Sequence, residues 1–330
     1  MSKFLAAASP LDHLPPVPLS LDDKGSINIA QKYPPMKRWF TLLVLLLVVP
    51  ALARDHGLQW ASDGENIMIS WSHRGGSQLH LYRSTQPFAY PDLKDSNFPV
   101  ADLGAVRGTA FLDTHVASGT TYYYAGQSDD NWWFQADPAS IPKKKLPERV
   151  PDPWILIDKL NYCMEIHSHG KLVKRYPVAF GVAAHKRKLR QDRASTPEGR
   201  YLIASCQLKA RWHKAYDINY PTIVDKARLK LLAPGQDIGG EIQIHGGGIE
   251  DNWTWGCIAL RDADIDELFR HPEIGRDTVV WIVGRELTFE DLECDESADW
   301  IDPVELGEWQ RANRLPVTCV RDKATARLPR

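Results

Sequence analysis

Glu241-Ile-Gln-Ile-His245-Gly-Gly-Gly-Ile-Glu-Asp-Asn-Trp-Thr254-Trp255-Gly256-Cys257-Ile-Ala-Leu260 is the stretch from which the rest of the chain can be read. Ile242 and Ile244 alternate with polar neighbours and predict a short strand that delivers His245 into a loop of three glycines. The loop returns through Thr254-Trp255-Gly256 to Cys257, which opens a second apolar segment. A cysteine nucleophile needs a base within hydrogen-bond reach, because the thiolate is the reactive form. Glycines permit close approach of backbone to substrate and torsions that other residues avoid. The amides of Gly256 and Cys257 could meet a developing oxyanion, the arrangement expected for acyl transfer.

Three other readings compete for these residues. His-Gly-Gly-Gly also forms the oxyanion loop of lipases, but that reading needs a Gly-x-Ser-x-Gly elbow, which the chain lacks. Zinc binding by His245 and Cys257 needs further ligands at metal spacing, and neither His-Glu-x-x-His nor Cys-x-x-Cys occurs. A structural histidine in a tight turn is the ordinary explanation of either residue alone. For the pair joined by this loop, catalysis explains both residues together.

Working outward, a globular block runs over 154–286. Trp154-Ile-Leu-Ile predicts a strand, and Tyr162 to Ile166 with Val173 to Phe180 a hairpin turning at His169-Gly170-Lys171. Asp225 to Leu232 has helical spacing and is stopped by Pro234-Gly235, and Asp262 to Phe269 makes a second short helix. This block resembles the catalytic domain of the L,D-transpeptidases, also called YkuD domains. The resemblance rests on Ser195-Thr-Pro-Glu-Gly-Arg-Tyr201, Tyr220-Pro-Thr-Ile-Val-Asp225, Gly240-Glu-Ile-Gln-Ile-His-Gly246 and Thr254-Trp-Gly-Cys-Ile-Ala-Leu260, with Asp264 to Phe269 and Asp277 to Val283 closing it.

The resemblance implies a mostly β fold and assigns roles residue by residue. Cys257 matches the nucleophile and His245 the general base and acid. The Gly246 carbonyl sits where the family orients that base, and Gly256 and Cys257 supply the oxyanion amides. It also implies peptidoglycan peptide stems as substrate, carbapenems as inhibitors, and no metal or organic cofactor. Cys257 attacks the amide between the third stem residue and the terminal D-alanine, which leaves protonated by His245. The thioester then passes to an amine or to water, leaving three outcomes open: 3–3 cross-linking, anchoring of an envelope lipoprotein, or hydrolysis. A wall-binding protein with a silent catalytic domain is the reading from another class.

The chain departs from the family pattern in three places, one of them a His-to-Cys separation shorter than in many members. Many members carry a second His where Trp255 stands, and an Arg where Ala259 stands. Recognition of the substrate carboxylate then needs another cation, for which Arg261, Arg193 and Lys186 compete with the simpler reading of solvated surface charges. Trp255 and Thr254 are the neighbouring substrate-binding candidates. His167-x-His169 puts two imidazoles on one strand face beside a turn, where exposure is expected. Asn252-Trp-Thr254 matches a glycosylation acceptor by pattern.

Upstream, 57–137 reads as all β: Ile67 to Trp71, Leu79 to Tyr82, Phe111 to Thr114 and Gly119 to Tyr124, with Arg74-Gly75-Gly76-Ser77 as a turn. The Trp71 strand, the Leu-Tyr-Arg strand and the tyrosine run resemble a fibronectin type III domain, with the aromatics as core. Trp132-Trp133 is the weak ligand-binding candidate of this block. The fold class expected overall is mainly β with minor α: a β-sandwich followed by a β-rich catalytic domain. Residues 138–153, with Pro138, Pro142, Pro147, Pro151 and Pro153, predict an extended linker without a rigid interface, and therefore a sandwich dispensable for the chemical step. The tail, 287–330, contains one capped helix, with Asp302 as cap and Pro303 as first residue.

Met36-Lys-Arg-Trp-Phe-Thr, the apolar run Leu42 to Val49, Pro50 and Ala51-Leu52-Ala53 have the order of a signal peptide over 36–53. The apolar run is shorter than the roughly 20 residues of a membrane span. Export to the periplasm with no lasting membrane span is the expectation, and residues 1–35, ahead of the leader, read as a mis-annotated extension. Forty basic against 42 acidic residues give a net charge of −2, which argues against a nucleic-acid binder. Five cysteines in an exported chain leave at least one unpaired. Connectivity cannot be read from sequence; Cys294 with Cys319 and Cys163 with Cys206 are the pairings guessed by position.

Overall fold

A computed structural model describes residues 57–71, 78–131, 133–191, 194–296, 301–322 and 325. The extension 1–35, the leader 36–53, the 74–77 turn, Trp132 and Arg193 lie outside the described residues. The first block is antiparallel throughout. Its strands are β1 (Leu58–Ser62), β2 (Ile67–Trp71), β3 (Leu79–Ser84), β4 (Val100–Val106), β5 (Ala110–Asp113), β6 (Thr121–Ser128), β7 (Trp133–Gln135) and β8 (Ala139–Ser140). They form one sheet in the order β1-β2-β5 and another in the order β4-β3-β6-β7, with β8 beside β6. Strict alternation turns Ile67, Ile69 and Trp71 of one sheet, and Leu81, Tyr122 and Tyr124 of the other, into a shared core. The tyrosines therefore sit where a sandwich core needs them. Buried Arg83 spans Asp113 at 2.8 and 2.6 Å, and Tyr124 donates to the same carboxylate at 2.8 Å.

The second block is one eight-stranded sheet, ordered β11-β10-β9-β16-β12-β13-β14-β15. Its strands are β9 (Pro153–Asp158), β10 (Cys163–Ser168), β11 (Lys171–Pro177), β12 (Gly199–Ala210), β13 (His213–Ile218), β14 (Gln243–His245), β15 (Ile258–Ala259) and β16 (Val279–Val283). Two joints are parallel, β9 with β16 and β14 with β15. Helices α1 (Ile223–Leu232) and α2 (Asp262–Leu268) lie between strands, and α3 (Phe289–Glu296) and α4 (Pro303–Ala312) follow them. Asp302 caps α4 by accepting from Val304 and Glu305, and Gly307 of that helix packs on Leu231 of α1.

Three expectations are corrected. Residues 138–153 are docked rather than free: Ile141, Leu146 and Val150 are buried, and the Leu146 amide donates to Glu267 at 3.0 Å. Prolines fix an extended backbone, but their spacing is silent about where the apolar residues between them go. Leu146 and Val150 join the core of the eight-stranded sheet, together with Ala101 of β4. Second, neither of the guessed disulfides is formed. Cys163 on β10 and Cys206 on β12 stand three strand spacings apart, roughly 14 Å, twice the Cα reach of a disulfide. Cys319 is buried against Gly307 of α4, which the spacing to Cys294 did not reveal. Third, His167 is not exposed: its ring stacks on Trp154 at 3.8 Å and bonds Glu165 at 2.8 Å. His169, at the turn, is exposed.

No helix among the described residues is long and apolar enough to cross a membrane.

Candidate functional site

β14 and β15 pair in parallel, Ile244 with Ile258 and His245 with Ala259. Cys257 immediately precedes β15, two residues before Ala259, the register partner of His245, and its Sγ hydrogen bond goes to the Glu241 carbonyl rather than to the imidazole. Each strand is fixed from both sides. Ala179 exchanges two backbone hydrogen bonds with Ala259, at 3.0 and 2.9 Å, and the Leu260 amide donates to the His245 carbonyl at 2.8 Å. The 11 residues between His245 and Cys257 fold back as a loop whose Trp253 ring lies 5.4 Å from the imidazole.

His245 is 2% exposed. Its Nδ1 lies 2.6 Å from the Gly246 carbonyl, an atom that can only accept, so Nδ1 carries the proton and Nε2 keeps a lone pair. Burial holds the imidazole pKa below its ordinary 6.5, and the Gly246 hydrogen bond opposes this only in part. The Gly246 carbonyl is itself held in place. Its residue donates to Lys214 O at 3.1 Å, and Gly247 donates to Asp262 Oδ1 at 2.8 Å. A Cβ at position 246 would stand 2.5 Å from Asp262 Oδ1, so glycine is required by close approach.

Cys257 is half-buried, and its Sγ contacts the Glu241 carbonyl at 3.5 Å. Burial pushes the thiol pKa up, while a hydrogen bond to the Gln243 backbone and the charge of Lys188 pull it down. Both shifts favour the uncharged thiol and the uncharged imidazole. Lys188 is 4% exposed. Its amide donates to Thr196 O, next to Ser195, whose carbonyl would stand 2.6 Å from a Cβ at Gly256. Gly256 has φ +120°, which with that contact admits only glycine.

The remaining candidates divide. Thr254 is buried and staples the turn: Oγ1 donates to Cys257 O at 2.7 Å and accepts from the Gly256 amide at 3.3 Å. An oxyanion role for the Gly256 amide requires that long contact to open. Arg261 occupies the N-cap position of α2 without a side-chain capping bond and donates to Thr120 Oγ1 of the sandwich at 3.3 Å, with Asp264 at 3.9 Å. Trp255 is 69% exposed, two residues before Cys257. Lys186 is exposed, and its carbonyl accepts from Lys159 at 2.7 Å. Asn252 is buried, which excludes it as a glycan acceptor. Sequence reasoning missed Lys188, Trp253 and the Asp262 loop contact; Asp262 read only as a helix start. Among the described residues no group of three or more His, Cys, Asp or Glu converges as a metal site would.

Residues 152–282 match the family model described as the L,D-transpeptidase catalytic domain (YkuD). Similar solved structures include the L,D-transpeptidase of Xylanimonas cellulosilytica DSM 15894, 14% identical, with 42% of this chain on 64% of that one and a TM-score of 0.30. The catalytic domain of the E. faecium L,D-transpeptidase is 15% identical, with 41% of this chain on 98% of that one and a TM-score of 0.28. A Fn3-like protein from Clostridium thermocellum is 22% identical, with 28% of this chain on 92% of that one and a TM-score of 0.19. The chain thus spans less than two thirds of the first of these structures. No curated protein matches.

Proposed function

We propose, taking residues 152–282 as an L,D-transpeptidase catalytic domain, that the protein is an exported cysteine acyltransferase acting on peptidoglycan tetrapeptide stems. The observation that carries this reading is the tautomer of His245. With Nδ1–H bound to the Gly246 carbonyl at 2.6 Å, Nε2 is left as a base at the end of β14, which pairs with the strand that Cys257 precedes. Nε2 takes the thiol proton as Sγ attacks the carbonyl carbon of the amide before the terminal D-alanine. The tetrahedral adduct collapses, the C–N bond breaks, and the same proton passes from His245 to the departing amine. An acceptor amine, or water, then attacks the thioester, gives a proton to His245, and releases Cys257. Export follows from the leader at 36–53, and carbapenems would acylate the same thiol. An amine acceptor gives 3–3 cross-links or an anchored envelope protein, and water gives carboxypeptidase activity.

Incubating the mature protein with tetrapeptide muropeptides and resolving products by mass spectrometry tests the reading. Cross-linked dimers identify a transpeptidase, tripeptides alone a hydrolase, and unchanged substrate a wall-binding protein with a silent site.

The pH dependence follows from the two shifts. His245 accepts the thiol proton only when neutral, and its pKa lies below 6.5. Activity should therefore hold from pH 8 down past 6.5 and fall only at lower pH, with a midpoint belonging to the Cys–His pair. A midpoint above 6.5, or no acid limb in kcat/KM down to pH 4, would remove His245 from the role of base.

A further inference from the structure

Asn252 belongs to no element of the chemistry above, yet every polar atom of its side chain is engaged and it is 2% exposed. Its Oδ1 accepts from the Phe180 amide at 3.2 Å. Its Nδ2 donates to the Tyr162 hydroxyl at 2.9 Å and is shared between the Ser96 and Phe98 carbonyls at 3.3 and 3.4 Å. Its own amide donates to Asn97 O at 2.6 Å. Phe180 and Tyr162 belong to the catalytic block, whereas 96–98 is the loop that leads into β4 of the sandwich. One residue is thus clamped between two blocks, with an amide's two donors and one acceptor all used.

Its neighbours connect that clamp to the reacting groups. Trp253 donates to Gly248 O at 3.2 Å and lies against His245, 5.4 Å between rings. Thr254 donates from its amide to Phe180 O at 3.1 Å and from its hydroxyl to Cys257 O at 2.7 Å. From Ser96–Phe98 the contacts therefore run through Asn252 to Thr254 and into the Cys257 turn, and through Trp253 to the imidazole. The rest of the interface is built to hold the loop still. Arg83 of β3 reaches the Asn161 carbonyl beside Tyr162, and Ala101 of β4 joins the core of the eight-stranded sheet.

We propose that the N-terminal sandwich is part of the catalytic unit, and that Asn252 is the positioning residue through which its 96–98 loop sets the Trp253–Cys257 turn. This replaces the expectation that the sandwich is dispensable for the chemical step, and it rests on the reading of Cys257 as nucleophile. Leaving three oxygens without their donor lets the turn move, and displacement of a catalytic group by about 1 Å can cost on the order of 100-fold.

The test uses the full chain with Asn252→Ala, and Tyr162→Phe, which removes one partner only. Val150→Ala, a buried change in the 138–153 segment, supplies a destabilised control. Asn252→Ala should lose about 10- to 100-fold in kcat with KM within about threefold, and Tyr162→Phe should lose less in the same sense. Val150→Ala should lower the melting temperature and leave kcat unchanged at temperatures well below it. Iodoacetamide labelling of Cys257 against pH, read by peptide mass spectrometry with exposed Cys206 as internal reference, gives a second readout. It needs no stem peptide, so it decides the proposal even if no transpeptidase activity is found. The Asn252→Ala profile for Cys257 should shift while that of Cys206 does not. Wild-type kcat and an unshifted Cys257 profile in folded Asn252→Ala would overturn the proposal. So would a Val150→Ala loss equal to that of Asn252→Ala at matched fraction folded. If Asn252→Ala fails to fold, an unchanged Tyr162→Phe overturns it by the same readouts.

Discussion

Cys257→Ala is expected to lower D-alanine release from a tetrapeptide stem by at least about 10⁴-fold, the scale on which removal of a nucleophile acts in triad-type enzymes. Stability should scarcely change. The side chain is half-buried, and its polar contacts are with backbone: the 3.5 Å approach to the Glu241 carbonyl and a hydrogen bond to Gln243. A truncation of that kind costs about 1 kcal/mol or less, so wild type and variant should melt within a few degrees. The separation of the two measurements is what makes the test sharp. Activity lost together with the fold would say only that position 257 is structural. Activity retained at more than a few per cent, in protein shown by mass spectrometry to carry alanine, would remove Cys257 as nucleophile. Exposed Cys206 offers an internal comparison, because Cys206→Ala in the same background should leave D-alanine release unchanged.

The parts of the site that the sequence makes legible are those whose chemistry is confined to a short window. His245, the glycines and Cys257 lie within 13 consecutive residues, so the pairing of a base with a thiol was readable from one motif. Asn252 was legible only as a sequon, because a pattern of three residues carries no burial. Its partners at 96–98, 162 and 180 are between 72 and 156 positions away in the chain. Thr254 read as a substrate contact because it neighbours Cys257, but a hydroxyl within a tight turn finds backbone first. Arg261, the candidate for the absent carboxylate ligand, points instead at Thr120, across an interface that the proline-rich segment concealed. In the fold, the strands with clean alternation and the capped α4 were readable from period and cap. Helix α3 was missed, since Phe289-Glu-Asp-Leu-Glu-Cys is short and acidic and gains its apolar partners, Trp154 and Trp281, only by tertiary packing.

Deeper in the catalytic block, the largest effect on stability is expected at Lys159 and Glu198, a pair with both side chains 0% exposed at 2.9 Å. Lys159 Nζ also donates to the carbonyls of Lys186 and Thr196, at 2.7 and 2.9 Å. Glu198 accepts the amides of Glu286 and Leu287, both at 3.0 Å, and lies so close to Gly284 that no Cβ fits there. Removing one partner leaves an uncompensated buried charge, which costs about 3–5 kcal/mol. Glu198→Ala should therefore lower the melting temperature by on the order of 10 °C. A simple buried ion pair can be replaced by two apolar residues at little cost. This one should not behave so, because Lys159→Met with Glu198→Leu strands the Lys186 carbonyl and two amides, each worth about 1–3 kcal/mol when buried and unpaired, while Thr196 O keeps only its bond from the Lys188 amide. The double variant is expected to recover part of the single-variant loss and to remain well below wild type. Thermal melts of the four proteins in the cycle measure this directly. A double variant as stable as wild type would mean that the pair matters only for its own charges, and not as the knot that ties 186–198 to 284–287. The same knot bears on the site, since Thr196 follows Ser195, whose carbonyl packs on Gly256. Activity in Glu198→Ala should accordingly decline at temperatures where the sheet is still folded, before the global transition begins.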